Sequence, residues 1–351
     1  AEAALSRFPV QVLNRMSDID TQLELLQWVR LGVLALCFGG AAWLDHKTRR
    51  VSNEWWWGWA KPTLFLLTLE LLLLEAGWMI WLTASAVVAF ASTALIGVPD
   101  INDIRKGSKL DIAVTIWYFV SGVGLVMGAM EYAPVLMDYF DPSVVMDTES
   151  ASTKAALLWG QMILMGIVLL FFEMAWRFRM LHGGADAKAM MLATLLLPSW
   201  VGAAFPLCVE ESAMSTSMPP ALSLLIWAGL AFLVLPLIML IRNVGAGDLF
   251  PLSMSWHASK MALADIPNNH VWLLEEVVDK PDGTRGVTRR MRPVRGSRAE
   301  NETEQVLEEL AEAGIERAWV TAKHPFLLFV FPAILPLVLF GDPIVWILSY
   351  L

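Results

Sequence analysis

A succession of long apolar runs limits the possible folds of this chain more strongly than any other feature. Each run is about 20 residues long, which is the length that an α-helix needs to cross the hydrocarbon core of a membrane. The runs cover residues 26–45, 55–76, 78–98, 112–133, 155–176, 186–207, 220–241 and 324–349. Because 57% of the 351 residues are hydrophobic and only 17% are charged, the composition is too apolar for a soluble domain. We therefore predict a polytopic α-helical membrane protein with about eight transmembrane helices, the second and third separated by a tight turn at Ala76 and Gly77.

The distribution of lysine and arginine predicts the orientation of these helices. Basic clusters occur in alternating links, at residues 46–50, 105–109 and 177–179 and in the polar stretch after Arg242. The intervening links, residues 131–154 and 208–220, carry acidic residues and only one lysine. Because cytoplasmic links are enriched in lysine and arginine, we expect the basic links to face the cytoplasm and the N-terminus to face outside. The tryptophan cluster at residues 55–59 is expected to be an interfacial anchor.

One stretch loses the apolar bias and predicts a small cytoplasmic α+β module inserted before the last helix. The expected domains are a transmembrane helical bundle over residues 1–241, the module over residues 242–322, and a C-terminal transmembrane helix over residues 323–351. Six arginines between Arg285 and Arg298 belong either to a surface on anionic lipid headgroups or to a solvated hairpin.

Within the module, alternation and turn residues predict individual elements. Residues 270–278 alternate like a strand and residues 280–284 have the composition of a turn. A helix is expected to begin at Asn301 with a capping box and to end at Gly314. Residues 317–321 are expected to form a last strand.

Acidic residues near membrane depth are the candidate functional groups, because they are costly there and are usually paired or functional. Asp45 lies at the inner end of the first run and Asp186 at the inner start of the sixth. The predicted orientation places both on the same side of the membrane at similar depth, so helix packing could join them. Glu70 and Glu173, inside or near the ends of other runs, are expected to pair with polar groups in the bundle.

Asp45 and Asp186 together would have the chemistry of an aspartyl protease. Two carboxyl groups that meet in a low-dielectric site cannot easily both ionise, so they share one proton. The ionised aspartate can then take a proton from water while the protonated one hydrogen-bonds the scissile carbonyl. The alternative is that each is an ordinary interfacial residue, since the helix dipole alone favours aspartate in a first turn.

The sequence around the two aspartates carries a family resemblance. Asp45 opens DHKTRRVSN, residues 45–53, and Asp186 closes GGAD, residues 183–186. These motifs resemble the two signatures of the type IV prepilin and preflagellin peptidases, which are membrane aspartyl proteases of the GxGD group. The positions that match are Lys47, Thr48, Arg49, Val51 and Asn53 in the first motif, and Gly183, Gly184 and Lys188 in or after the second.

Two positions depart from the family pattern. Ser52 stands where proline is usual, and Ala185 stands where many members carry glycine, although the archaeal preflagellin branch is similar in accepting a small hydrophobic residue there. Gly183 and Gly184 are expected to let a substrate strand or the partner helix approach bare backbone. Lys188 would either bias the protonation of the aspartate pair or simply extend to the interface.

The resemblance continues into the C-terminal part, where residues 241–251, 270–277 and 317–326 look like the cytoplasmic insert and last-helix entry of archaeal preflagellin peptidases. It leaves residues 78–154 unexplained, because they hold about two helices more than the family requires. The isolated Cys37 and Cys208 give no cysteine-pair zinc site. The chain therefore resembles the archaeal, protease-only branch, and we expect no metal or cofactor.

The resemblance implies an integral cell-membrane endopeptidase with its active site facing the cytoplasm. Its substrates would be preflagellins of the archaellum or archaeal type IV prepilin-like proteins, which carry a short basic leader before a hydrophobic helix, and the enzyme would remove that leader. We expect membrane lipids as further partners and draw no nucleic-acid inference.

Two other functions and one rival motif remain open at this point. A presenilin-like protease would cut within a substrate helix, and an ion-coupled transporter would use the carboxylates as ion or proton sites. GAGD, residues 245–248, fits the literal GxGD pattern better than GGAD does. It follows a span and leads into polar sequence, so we expect Asp248 to support a turn or helix C-cap.

Overall fold

The computed structural model describes residues 10–144, 147, 150–181, 183–200, 205–208, 217–279, 285–291 and 303–348. The chain divides into two compact units. The first comprises Ala1–Ala228 and Phe326–Leu351, and the second comprises Gly229–Pro325.

The first unit is a bundle of helices. Its elements are α1 (Val10–Thr48), α2 (Asn53–Leu73), α3 (Trp78–Ile96), α4 (Ile101–Arg105), α5 (Lys109–Phe140), α6 (Ala151–Arg177), α7 (Gly184–Leu196), the first residues of α8 (Pro220–Ala246), α11 (Leu327–Phe340) and α12 (Pro343–Leu348). The turn predicted at Ala76 and Gly77 separates α2 from α3.

Among the described residues, five helices are long and apolar enough to cross a membrane. They lie in α1 (Ile19–Thr48), α3, α5, α6 and α8. The predicted run 55–76 forms the 21-residue helix α2, which contains Lys61 and Glu70 and is not among these five candidate spans. The structure thus supports a mostly helical membrane protein, and the part of the chain that it describes does not confirm the predicted count of eight spans.

Two predicted spans are not single long helices, and local sequence explains both cases. Helix α7 has 13 residues and ends at Leu196, because Pro198 disfavours helical backbone at the residue before it. Run 324–349 is interrupted after α11, where Gly341 has φ 64° and Pro343 begins α12. Averaging hydrophobicity over a run conceals such breaks.

The stretch that the family resemblance did not explain packs within the first unit. Helices α3 and α5 contact each other, and both contact α6. Gly128 of α5 permits this approach, since a Cβ there would lie 2.8 Å from Trp159 Nε1 and 2.9 Å from Thr83 Oγ1. Trp159 also donates a hydrogen bond of 3.2 Å to Thr83. Small residues commonly allow such close helix contacts in membranes.

A buried ion pair joins α1 to α2. The Arg30 side chain is fully buried, and it donates a 2.8 Å hydrogen bond to Glu70 and one of 3.2 Å to the carbonyl of Leu66. The second acidic residue, Glu173, accepts a 2.7 Å hydrogen bond from Arg177. The expectation that both glutamates pair with polar groups is confirmed.

The second unit contains the rest of α8 and a small α+β fold. Its elements are α9 (Leu252–Ser255), β1 (Ser259–Ala262), a 3-10 helix (Leu263–Asn268), β2 (Val271–Leu273), β3 (Glu275–Asp279), β4 (Arg285–Arg289), α10 (Thr303–Glu312) and β5 (Arg317–Ala322). Strands β1 and β2 both pair antiparallel with β5, and β3 pairs antiparallel with β4. Leu310 of α10 packs on Ala318 and Val320.

Two of the sequence predictions for this module are confirmed. The last strand is β5, and α10 ends before Gly314, which has φ 78°. The single strand predicted over 270–278 is instead two strands in different sheets. The buried Leu274 lies between them: its amide donates to the carbonyl of Trp319 in β5, and its carbonyl accepts from the amide of Arg290 next to β4. Strand β1 was missed. The predicted turn at 280–284 and the cap at Asn301 lie outside the described residues.

Candidate active site

Asp45 lies in the last turn of α1 and is half-buried. The amide of Arg49 donates a 3.0 Å hydrogen bond to the Asp45 carbonyl, and Arg49 then leaves the helix with φ 56°. The guanidinium of Arg49 interacts electrostatically with Asp45. Its Nε and Nη1 atoms are shielded from solvent and have no hydrogen-bond partner within the described part of the chain.

Asp186 lies in the first turn of α7, where its carboxylate folds back over Gly183. The Asp186 amide donates a 3.1 Å hydrogen bond to the Gly183 carbonyl. A Cβ at position 183 would lie 2.5 Å from Asp186 Oδ2, so only glycine leaves room for this conformation. By contrast, a Cβ at Gly184 would meet Trp176 at an ordinary 3.7 Å. The nearest group to Gly183 is thus the aspartate of its own motif, where we had expected a substrate strand or the partner helix.

The structure brings the two aspartates together. Helices α1 and α7 are in contact, and Asp45 lies close enough to Asp186 for the two carboxyl charges to interact. Since the residues come from the first and seventh helices, this proximity results from packing of the bundle. Two neighbouring carboxyl groups are the arrangement required for a general acid and a general base acting on one water molecule.

A second contact joins the two sequence motifs. The Lys188 ammonium donates a 2.7 Å hydrogen bond to Asn53 Oδ1, which connects the second turn of α7 to the first residue of α2. Lys188 is two positions after Asp186, so at 100° per residue the two side chains leave α7 in nearly opposite directions. Lys188 therefore lies behind the aspartate pair and fixes α7 against α2.

The remaining motif residues have simpler environments. Lys47 is exposed in the last turn of α1, and Ala185 is partly buried against the hydrophobic core. Within the tryptophan cluster, Trp56 is 2% exposed while Trp57 is 45% exposed. The expectation of an interfacial anchor is thus wrong for Trp56, because the helical period turns this side chain into the bundle.

An apolar cavity adjoins α7 and was not predicted. It is lined by side chains of α2, α3, α5 and α7, including Trp57, Trp117 and Leu192, with Lys188 as its one charged lining residue. Each of these apolar residues is ordinary for a membrane helix, so no local sequence signal distinguishes them.

Asp248, the aspartate of the rival GAGD motif, lies just after a helix end and is paired with positive charges. Helix α8 ends at Ala246, and Gly247 has φ 75°, as expected for a helix C-terminus. Asp248 is buried and forms ion pairs of 3.1 Å with Lys260 and 3.0 Å with Arg317. Its partners are therefore two cations.

Comparison with known proteins identifies the C-terminal region. Residues 251–343 match the family model described as Archaeal Peptidase A24 C-terminus Type II. This segment includes the β-strands and α11, and it does not include Asp45 or Asp186. No significant match to a curated protein is found. The match relates this C-terminal segment to archaeal A24 peptidases, and the two aspartate motifs lie outside it.

Proposed function

We propose that the protein is a membrane aspartyl endopeptidase that removes the short basic leader of preflagellins or archaeal type IV prepilin-like proteins. The observation that carries this proposal is the proximity of Asp45 and Asp186, whose carboxyl charges interact although the residues belong to the first and seventh helices. The family match in the C-terminal segment supports proteolysis independently, because it rests on other residues.

The proposed reaction uses the two carboxyl groups in complementary protonation states. The ionised aspartate takes a proton from water, and the water oxygen attacks the scissile carbonyl carbon. The protonated aspartate hydrogen-bonds the carbonyl oxygen as negative charge develops on it. Proton transfer to the leaving amine then completes hydrolysis and returns the pair to one shared proton.

The proposed cleavage site is the boundary between the leader and the apolar helix of the substrate. Asp45 lies in the last turn of a candidate spanning helix, and the basic residues Lys47, Arg49 and Arg50 follow it in the sequence. Basic residues mark the cytoplasmic end of a span, so the pair would act at the cytoplasmic membrane face. A substrate whose hydrophobic helix lies in the membrane would present its leader junction at this depth.

The experiment is a cleavage assay in membranes with a fusion substrate that has a basic leader before a hydrophobic helix. Asp45→Asn and Asp186→Asn should each reduce the cleavage rate by roughly 10² to 10⁴-fold while thermal unfolding stays unchanged. Asp248→Asn tests the rival motif and should remain active, as should Asp138→Asn at an exposed position of α5. Near wild-type cleavage by Asp186→Asn would overturn the assignment.

The position of the cut separates this proposal from the presenilin-like alternative. N-terminal sequencing of the product should place the new terminus between the basic leader and the first apolar residues. A new terminus inside the apolar segment would favour intramembrane cleavage instead. Equal behaviour of all the variants would exclude a protease role for the two aspartates, and transport assays would then follow.

A further inference from the structure

Exposed apolar side chains on the last turns of spanning helix α8 continue into the segment that follows the helix. On the last turns of α8, Ile241 is 72% exposed and Val244 is 56% exposed. After the helix, Phe250, Leu252 and Trp256 are 73%, 57% and 50% exposed. We call these five residues the α8 apolar face.

Hydrogen bonds fix the later residues of this face beside the end of the helix. Asn243, in the last turns of α8, is buried, and its side-chain amide donates 2.7 Å hydrogen bonds to the carbonyls of Ser255 and Ala258. The Asp248 amide also bonds back to the Asn243 carbonyl at 2.8 Å. The segment that carries Leu252 and Trp256 is therefore held at the depth at which α8 ends.

The surroundings of the face fit a membrane boundary. Helix α8 has the highest mean hydropathy of the five candidate spans, 2.8, so its composition is well suited to a lipid environment. Trp256 donates its indole N–H to the Ser253 carbonyl at 2.9 Å, which satisfies its polar group while the ring stays exposed. Tryptophan is enriched at membrane interfaces, and Arg242 adds an exposed cation at the same level.

The arginines that suggested a lipid contact from sequence are partly paired within the module. Arg289 bonds to Glu275 at 2.8 Å, and Arg290 pairs with Glu276. Their charges are therefore partly neutralised by glutamates, and the apolar side chains give the stronger reason for a membrane contact. Several large exposed apolar side chains close together in the sequence of a polar module indicate an interaction site.

We propose that the α8 apolar face lies in the headgroup and upper acyl region of the bilayer, so that the second unit rests on the membrane surface beside its own spanning helix. Burial of Phe250, Leu252 and Trp256 in lipid would remove their exposed apolar surface from water. The proposal does not depend on the aspartate pair or on proteolysis.

The test is spin-label accessibility in the full chain, reconstituted in vesicles of phosphatidylcholine with phosphatidylglycerol. A Cys208→Ser background removes the exposed cysteine, and Cys37 is buried. Labels are placed at Leu252→Cys and Phe250→Cys. Glu308→Cys, at an exposed position of α10, is the matched control.

Labels at 250 and 252 should collide more with oxygen, which concentrates in lipid, than with a water-soluble nickel chelate. The label at 308 should show the reverse preference. Equal nickel accessibility at 252 and 308 would overturn the proposal, because the face would then be in water. Shielding of the label at 252 from both reagents would also overturn it, since a protein surface would then cover the face.

Discussion

Two tetrapeptides of the same composition, GGAD at residues 183–186 and GAGD at residues 245–248, place their aspartates in opposite surroundings. Asp186 is in the first turn of a helix, and its charge interacts with the carboxyl group of Asp45. Asp248 follows the end of a helix and forms ion pairs with a lysine and an arginine.

The sign of the neighbouring charge distinguishes what each aspartate can do. Like charges in proximity favour a shared proton, which is the property that acid–base chemistry requires. Opposite charges favour one fixed, ionised state, which suits a structural link between a helix end and a sheet. The literal motif pattern selects Asp248, whereas the neighbouring charges favour Asp186 for acid–base chemistry.

The largest expected effect tests whether Asp45 and Asp186 act as one unit. Each single asparagine variant should lose roughly 10² to 10⁴-fold in cleavage rate, the usual contribution of a general acid or base. The double variant should lose no more than either single variant, because residues that act together are strongly non-additive. Initial rates on the leader fusion measure this, and losses that multiply would show that the two act separately.

The next effect concerns the glycine that accommodates the Asp186 carboxylate. Gly183→Ala should reduce cleavage by about 10²-fold, since the new methyl group would displace Oδ2 and a 1 Å misplacement can have that effect. Gly184→Ala is the matched control and should stay close to wild type, because ordinary contact distance is available there. Cleavage rates of the two variants test this prediction, and equal losses of rate would refute the steric role of Gly183.

For the GAGD aspartate, Asp248→Asn should destabilise the module without removing cleavage activity. The Asp248 side chain is 9% exposed, whereas Lys260 and Arg317 are 30% and 48% exposed, so solvent screening limits the loss to about 1–2 kcal/mol. Hydrogen exchange of β1 and β5 in the full chain measures it. The exposed Asp265→Asn serves as control, and unchanged exchange in Asp248→Asn would contradict a structural role.

Sequence reasoning was most successful where the structure depends on local chemistry. The turn before α3, the end of α10 at Gly314 and the helix C-terminus before Asp248 all follow from residues within a few positions. It failed where hydrophobic averages hide a local break, as at Pro198, or where a side chain turns inward by helical period, as at Trp56.

Composition and periodicity could not predict which helices distant in the sequence contact each other. Nothing near Asp45 specifies that α1 meets α7, and only the family resemblance and the predicted depth suggested it. The same holds for the contact between Lys188 and Asn53, whose partners are 135 positions apart. Such contacts depend on the packing of the whole bundle.

The smallest expected effect tests this last contact. Lys188→Met removes the hydrogen bond to Asn53. The free energy of unfolding should fall by about 0.5–1.5 kcal/mol. The cleavage rate should fall several-fold, because α7 would be less firmly fixed behind Asp186. Asn53→Asp keeps an acceptor for the ammonium group and should stay near wild type, whereas Asn53→Leu should resemble Lys188→Met. If Lys188→Met and Asn53→Leu have additive effects in the double variant, the two residues do not act through this bond. Non-additive effects would mean that the bond between Lys188 and Asn53 couples the two motifs, on the face of α7 opposite the aspartate pair.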